Sequence, residues 1–175
     1  MEWPGLLRSN PGKEAPKIRT LTLLDKRITE CDACPRLKSW REEVAQIKRR
    51  AYVDQRYWGK PVTGFGSKNA KLLIIGLAPG AHGANRTGRI FTGDSSGDWL
   101  YGSLYRNGLA RLETSISTND GQKLIDTRIT CAVRCAPPEN KPLPGEISQC
   151  SHWLVREFEF LFPTVRSYQI GRAHV

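Results

Sequence analysis

No stretch of this sequence approaches the roughly 18 consecutive apolar residues that mark a membrane-spanning helix. The opening segment, MEWPGLLRSNPGKEAPK, has no apolar signal-peptide core. Both absences make a cytoplasmic protein without a membrane partner the expectation. No internal repeat is visible, which excludes a repeat array. Neither G-x-x-x-x-G-K-S/T nor G-x-G-x-x-G occurs, so a small-molecule phosphate enzyme is weakly supported. Acidic residues are in deficit: 17 Asp and Glu stand against 27 Lys and Arg, for a net charge of +10 and a pI of about 9.7. The excess points to an anionic partner, nucleic acid first. Its bland alternative is a solvated basic surface. Arg86 and Arg89 matter most, because they sit inside a glycine-rich loop.

The 175 residues, 39% hydrophobic and 25% charged, suit one soluble, monomeric domain with a substantial core. Residues 1–16, with Pro4, Pro11 and Pro16, read as a basic flexible arm, residues 17–167 as the domain, and residues 168–175 (YQIGRAHV) as an atypical tail. Ile18, Leu21, Leu24 and Ile28 have helical spacing. So do Leu37, Trp40, Val44 and Ile47, after a break at Cys31–Pro35. Residues 51–70 read as loop, with Tyr52, Tyr57, Trp58 and Phe65 expected to pack on the sheet edge rather than stack on bases. Leu72–Ile75 predicts a strand. Ser96 is the expected cap of a helix through Trp99, Leu100, Leu104 and Tyr105. Leu124–Val133 predicts a second strand. Beyond four loop prolines, a helix starts near Gly145 with Ile147, Cys150, Leu154, Phe158 and Leu161 on one stripe and His152 at the surface. Pro163 ends it, and Thr164–Ile170 begins a third strand. This alternation predicts an α/β fold with a mainly parallel sheet between helices.

The segment Leu72–Gly97, LLIIGLAPGAHGANRTGRIFTGDSSG, carries the strongest functional signal. A buried strand delivers a polar loop to the end of a sheet, where open α/β folds bind ligands. Gly76, Gly80, Gly83, Gly88 and Gly93 let the backbone come close to a ligand. Loops this long inside a compact domain are usually functional.

Five cysteines in a cytosolic chain argue against disulfides. Cys31 and Cys34 form a C-x2-C pair, and Cys135 and Cys150 a second pair 100 residues further on. The alternative of ordinary buried thiols is weakened by the proline after the C-x2-C. Zinc and an iron–sulfur cluster are not separable by this spacing. Either would staple the N-terminal helices to a late loop. Cys131 falls on the second predicted strand and reads as a core thiol.

CDACPRL, GLAPGAHGANRTGRIFTGDSSGDWLY and AVRCAPPENKPLPGEISQC, in this order and spacing, resemble the family 5 (type B) uracil-DNA glycosylases, over roughly residues 25–165. The resemblance implies a three-layer α/β/α sandwich around a central, mainly parallel four-stranded sheet. It implies a DNA-repair hydrolase that excises uracil from DNA, and in some relatives hypoxanthine or xanthine. It also implies a structural [4Fe-4S] cluster held by Cys31, Cys34, Cys135 and Cys150, which tips the metal question away from zinc. The sister family 4 begins its loop with Gly-Glu-Ala-Pro-Gly, where this chain has Gly76-Leu77-Ala78-Pro79-Gly80. Leu77 cannot hydrogen-bond a base or activate water. The sister family also carries an asparagine on the strand before the third cysteine, where Cys131 stands here. The replacement favours broader base acceptance.

Such an enzyme must flip its base out of the duplex and stabilise charge that develops as the glycosidic bond breaks. The resemblance implies Phe91 stacking on the base, with Gly76, Leu77, Ala78, Pro79 and Gly80 lining its pocket and loop amides donating to its oxygens. Asp94 corresponds to the family's general base, against the alternative that it only ties down its own turn. Asn140 matches a family asparagine near the site, with a turn-stabilising alternative. His82 donates to the base or orients the loop. Arg86, Arg89 and Lys141 are expected on the DNA phosphates.

The family's second catalytic motif, His-Pro-Ser, is absent here, and relatives run several dozen residues further. The expectation is a C-terminally truncated domain, with its last strand and helix missing, a sheet edge exposed and its stability reduced. The competing reading is a non-catalytic, metal-stapled nucleic-acid-binding fragment. The sequence therefore predicts little or no abasic-site formation when the purified 175-residue chain is incubated with a uracil-containing oligonucleotide. Robust formation would contradict the expectation of truncation.

Overall fold

A computed structural model describes residues 8–171. Its centre is a four-stranded sheet of β1 (Phe65–Gly66), β2 (Leu72–Gly76), β3 (Thr127–Cys131) and β4 (Ser167–Ile170), in the order β1-β3-β2-β4. β2 runs parallel to β3, with Leu72 opposite Thr127, and parallel to β4, with Leu72 opposite Ser167. Only β1 is antiparallel, pairing Phe65 with Ile129. Among the described residues, six α-helices accompany the sheet: α1 (Pro11–Glu14), α2 (Leu21–Thr29), α3 (Pro35–Ile47), α4 (Ala84–Thr87), α5 (Ser95–Arg106) and α6 (Pro144–Leu161).

Alternation along β2 creates the layers. Successive side chains of a strand point to opposite faces. Leu73 joins Leu24 and Ile28 of α2 and Trp153 and Leu161 of α6 on one face. Ile74 joins Ile129 of β3 and Tyr101 and Leu104 of α5 on the other. Two cores thus form back to back, and the expected α/β/α sandwich with a mainly parallel four-stranded sheet is what the chain adopts. The strand count differs in detail. The fourth strand is β1, upstream of the others within the segment read as loop. Two residues ending in Gly66 are too short to give a periodic signal.

Other boundaries shift for local reasons. The segment read as an arm divides: residues 1–7 lie outside the described residues, whereas Pro11–Glu14 forms α1 against α6. Asn10 caps α1 through its side chain, and Pro11 and Ala15 are buried. Tyr168, Gln169 and Ile170, assigned to a tail, complete β4, and the Gly171 N–H continues the ladder onto the Ile75 carbonyl at 3.0 Å. On α3, Arg41 faces inward and Ile47 is 71% exposed. On α6 the buried line is Glu146, Cys150, Trp153, Glu157 and Leu161, rotated from the apolar stripe. Hydrophobic spacing could not show this, because two of those residues are acidic. His152 is exposed, as expected.

Glu157 explains the rotation. Its carboxylate is fully buried and accepts from Arg128 Nε at 2.6 Å, Thr130 Oγ1 at 2.7 Å and Arg134 Nη2. Arg128 also reaches Asp25 of α2 at 3.2 Å. Burial alone would raise the Glu157 carboxyl; the Arg134 and Arg128 guanidiniums and the Thr130 hydroxyl outweigh it and hold it at about 2. A Cβ on Gly64 would stand 2.2 Å from Glu157 Oε1, so glycine is required beside this network.

Removing one member of a buried ion network leaves its partners uncompensated, which costs about 3–5 kcal/mol. Glu157→Ala is expected to lower unfolding stability by that amount in urea titrations. A depressed carboxyl contributes stability above its unfolded value of 4.5 and loses it as pH falls toward about 2. The wild-type protein should therefore lose stability across that window, and Glu157→Gln should show a flatter profile there.

Candidate active site and cysteine cavity

β2 ends at Gly76, and the chain behind it folds into a cleft of about 610 Å³. Leu77, Ala78, Gly80, Ala81, His82 and Gly83 form one wall. Ile90, Phe91 and Gly93–Ser96 form a second, Glu139–Lys141 a third, and Arg49 and Tyr52 stand at its border. Of the residues expected at a site, Leu77, Ala78, Gly80, His82, Phe91, Asp94, Asn140 and Lys141 are brought together. Gly76 lies beneath them against Phe91. Pro79 is buried beside the wall and does not line it.

The backbone amides of Ala78, Gly80, Ala81 and His82 donate to no described residue. They form a row of free N–H groups on a concave surface, suited to oxygen acceptors. Phe91 adopts φ +49°, in the left-handed region that β-carbon residues avoid. A Cβ on Gly76 would meet its ring at 3.0 Å, and a Cβ on Gly97 would meet its carbonyl oxygen at 2.1 Å. The two glycines therefore let Phe91 pack closely against the end of β2 while it lines the cleft.

Asp94 uses its two carboxylate oxygens differently. Oδ1 accepts from the Gly97 amide at 2.9 Å and from Ser96 Oγ at 2.6 Å, which makes Asp94 the N-cap of α5. The expected cap, Ser96, instead leans on the true one. A carboxylate is favoured here by the helix dipole as well as by its geometry. Oδ2 accepts no hydrogen bond among the described residues and lies against the opposite wall: a Cβ on Gly83 would sit 1.8 Å from it.

His82 is held from one side. Its Nδ1 lies 3.0 Å from the Tyr57 hydroxyl, which also accepts the Arg49 N–H at 3.3 Å, and the two rings meet edge to face. The contact fixes the orientation of the imidazole and turns Nε2 away from the phenol. Burial and the nearby Arg49 and Arg86 cations push His82 below its usual range, toward the neutral ring. Glu139 and Asn140 carry φ of +53° and +56°. Two left-handed residues in succession raise Asn140 to the cleft, where its side-chain amide bonds to no described residue while its backbone N–H donates to the Pro137 carbonyl at 3.3 Å.

Arg86 and Arg89, read as phosphate contacts, are internal. Arg86 bonds the His82 carbonyl at 2.6 Å, Gln55 at 2.5 Å and the Gly93 carbonyl at 2.7 Å, and stacks on Tyr52 at 3.9 Å. Arg89 pairs with Asp120, bonds Ser115 at 2.7 Å and lies over Phe65. A long polar loop needs buried donors to satisfy its carbonyls, and these two arginines supply them. Lys141 is exposed at the cleft rim beside Glu139. Arg49, Tyr52 and Tyr57 were missed. The clustered aromatics at 52–65 were the available signal: they pack on the loop itself rather than only on the sheet edge.

Cys31, Cys34, Cys135 and Cys150 line one small cavity together with Pro11, Leu37, Arg41, Arg134 and Trp153. Arg41 Nη1 donates to Cys135 Sγ at 2.9 Å, and the Arg134 amide to Cys150 Sγ at 3.3 Å. Burial pushes the Cys135 thiol to about 11 and the Cys150 thiol to about 12. Among the described residues no three His, Cys, Asp or Glu side chains are gathered closely enough for a single metal ion. Cys131 belongs to the α5-side core, next to Gly76.

A family model described as the uracil DNA glycosylase superfamily matches residues 63–168. The chain is similar to a type-5 uracil-DNA glycosylase of Mycobacterium bovis, 57% identical over 140 residues, covering 80% of this chain and 52% of that protein. A type-5 uracil-DNA glycosylase of Thermus thermophilus is 50% identical over 146 residues, 83% of this chain and 65% of the relative. A type-4 uracil-DNA glycosylase of Archaeoglobus fulgidus is 29% identical over 105 residues, 59% of this chain and 45% of the relative. The chain thus spans about half to two thirds of the length of the type-5 relatives.

The dual use of Asp94 is testable by stability alone. Asp94→Ala should lower unfolding stability by about 1 kcal/mol through loss of the helix cap. Asp94→Asn keeps an oxygen for the Gly97 amide and should retain most of it in the same thermal or urea melts.

Proposed function

The chain belongs to the uracil-DNA glycosylase superfamily, and on that premise we propose that the cleft is the base pocket of a DNA-repair glycosylase acting on deaminated bases. The observation that carries the reading is the pairing of a free Asp94 oxygen with a row of unpaired backbone amides and the Phe91 face in one cleft. Hydrolysis of an N-glycosidic bond needs these three elements together. The bond from C1′ to the base nitrogen breaks with its electron pair leaving on the base. Water bonds to C1′, and its proton passes by way of Asp94 to the solvent or the departing base. Negative charge then grows on the base oxygens, where the amides of Ala78, Gly80, Ala81 and His82 and a neutral His82 ring donate. Positive charge grows on the sugar, opposite Asp94. Phe91 holds the flipped base by stacking, which suits any base. Leu77 offers no polar side chain, in keeping with acceptance of hypoxanthine or xanthine as well as uracil. Asn140 extends its amide to the site from the third wall.

Phosphate contact falls to exposed cations at the rim, Arg49 and Lys141, instead of Arg86 and Arg89. The protein acts as a monomer on DNA in the cytoplasm. Among the described residues no helix is long and apolar enough to cross a membrane.

The four cysteines fit a [4Fe-4S] cluster. The donor set is entirely sulfur, and the four thiols line one cavity. A four-iron cluster takes one thiolate on each iron, whereas zinc needs all four at one centre. When bound, the cluster serves as a structural link with no part in the hydrolysis. Cys31 and Cys34 at the α2–α3 junction, Cys135 beyond β3 and Cys150 on α6 hold it, so that it joins the N-terminal helices to the sheet.

In the full-length protein, Asp94→Ala should reduce release of uracil from an oligonucleotide by about 10²- to 10⁴-fold while DNA affinity is kept. Arg49→Ala and Lys141→Ala should weaken DNA binding and each reduce its salt dependence by about one ion. A non-catalytic binding fragment would show no base release with or without Asp94. Visible absorbance at about 400 nm distinguishes the cluster from colourless zinc.

A further inference from the structure

The cavity enclosed by the four cysteines has a second feature that the thiols do not explain. Trp153 and Arg134 both line it, and both are fully buried. The indole Nε1 of Trp153 and the Nε and Nη1 of Arg134 have no hydrogen-bond partner among the described residues. Arg134 commits only Nη2 to Glu157 and its amide to Cys150 Sγ. Arg41, which is 5% exposed, brings a further guanidinium from α3, with Nη1 on Cys135 Sγ. Every one of these groups is a donor. Buried donors are normally satisfied, and the only other polar side chains lining the cavity are Gln149 and the four cysteines, none of which bonds these three nitrogens among the described residues. The missing partner must be acceptor-rich, anionic and housed between the four sulfurs.

We propose that Arg41, Arg134 and Trp153 form a hydrogen-bonding shell that grips the sulfurs of the iron–sulfur group and balances its charge. The inference rests on the cluster reading above and extends it to this chain's own residues. Four thiolates give such a group a net negative charge, and it adds inorganic sulfides as acceptors that a zinc tetrathiolate lacks. Two guanidiniums and an indole N–H supply the complementary charge and donors. The Glu157 network gives the shell its rigidity, because it pins the far side of Arg134 to α6 and β3. Hydrogen bonds and positive charge at the sulfurs stabilise the reduced state most, and partners outside the ligand set also decide how firmly a metal group is retained.

The test uses the purified, cluster-containing chain and reads the cluster rather than catalysis. Trp153→Phe removes one N–H and keeps the aromatic packing. Arg41→Gln removes one charge, and Arg41→Lys restores it without the fork. Trp40→Phe is the control, since Trp40 Nε1 is also unpaired but does not line the cavity. Trp153→Phe and Arg41→Gln should each shift the midpoint potential to more negative values. They should also speed loss of visible absorbance to an iron chelator by about 10- to 100-fold, with Arg41→Lys intermediate and Trp40→Phe unchanged. Unchanged potential and chelation rates in folded, coloured Trp153→Phe and Arg41→Gln proteins would overturn the proposal. Colourless wild-type protein containing zinc and no iron would overturn the cluster reading itself, so the two failures are distinguishable.

Discussion

The fold depends on a carboxylate buried without any access to water. Glu157 has to be matched by charge, and Arg128 and Arg134 meet it from the strand and the loop beyond it. Burying three ionised groups is unfavourable unless geometry and hydrogen bonding are nearly complete; Thr130 and Asp25 complete them here. The arrangement fixes the rotation of α6 about its own axis. It thereby decides that Cys150 and Trp153 face the same cavity as the cysteines of the α2–α3 junction. One side of Arg134 belongs to the ion network and the other to the sulfur cavity, so the two are mechanically one unit.

The cleft is built on an analogous sharing of duties. Asp94 closes the first turn of α5 with one oxygen and leaves the other on the cleft wall. The carboxylate therefore cannot rotate away without uncapping the helix. Phe91 is held in a left-handed backbone conformation by the surrounding glycines. Arg86 and Arg89 hold the loop from inside through its carbonyls and through Asp120. A loop of this length would otherwise sample many conformations, and ordering it in advance lowers the entropy to be lost on binding. Rigid placement of a carboxylate, an aromatic side chain and free amides in one cleft is what the proposed base pocket requires.

Much of this was legible in one dimension. Leu72–Ile75 declared a central strand through its unbroken apolar run, and the glycines after it declared a loop at the sheet end. The C-x2-C pair and the later cysteines pointed to one another, and the four thiols line one cavity. Other features were not legible for identifiable reasons. Arg86 and Arg89 carry the same letters whether they face phosphate or loop carbonyls, and only burial separates the cases. Ser96 and Asp94 are both good caps, and which one serves depends on a two-residue difference in where α5 starts. The inward face of α6 was misaligned because acidic residues at 146 and 157 lie on it, and periodicity scores them as surface.

The sequence by itself determined the class of fold, the loop that lines the cleft and the four cysteines that share a cavity, because these depend on local composition and on residue types with few alternative uses. Only the tertiary structure decided which cations are exposed, which Asp94 oxygen caps α5 and which partner holds the His82 ring. It alone gathered unpaired donors around the cysteine cavity. Each of these depends on contacts between segments far apart in the chain, where burial and hydrogen-bond partners, rather than residue type, assign the role.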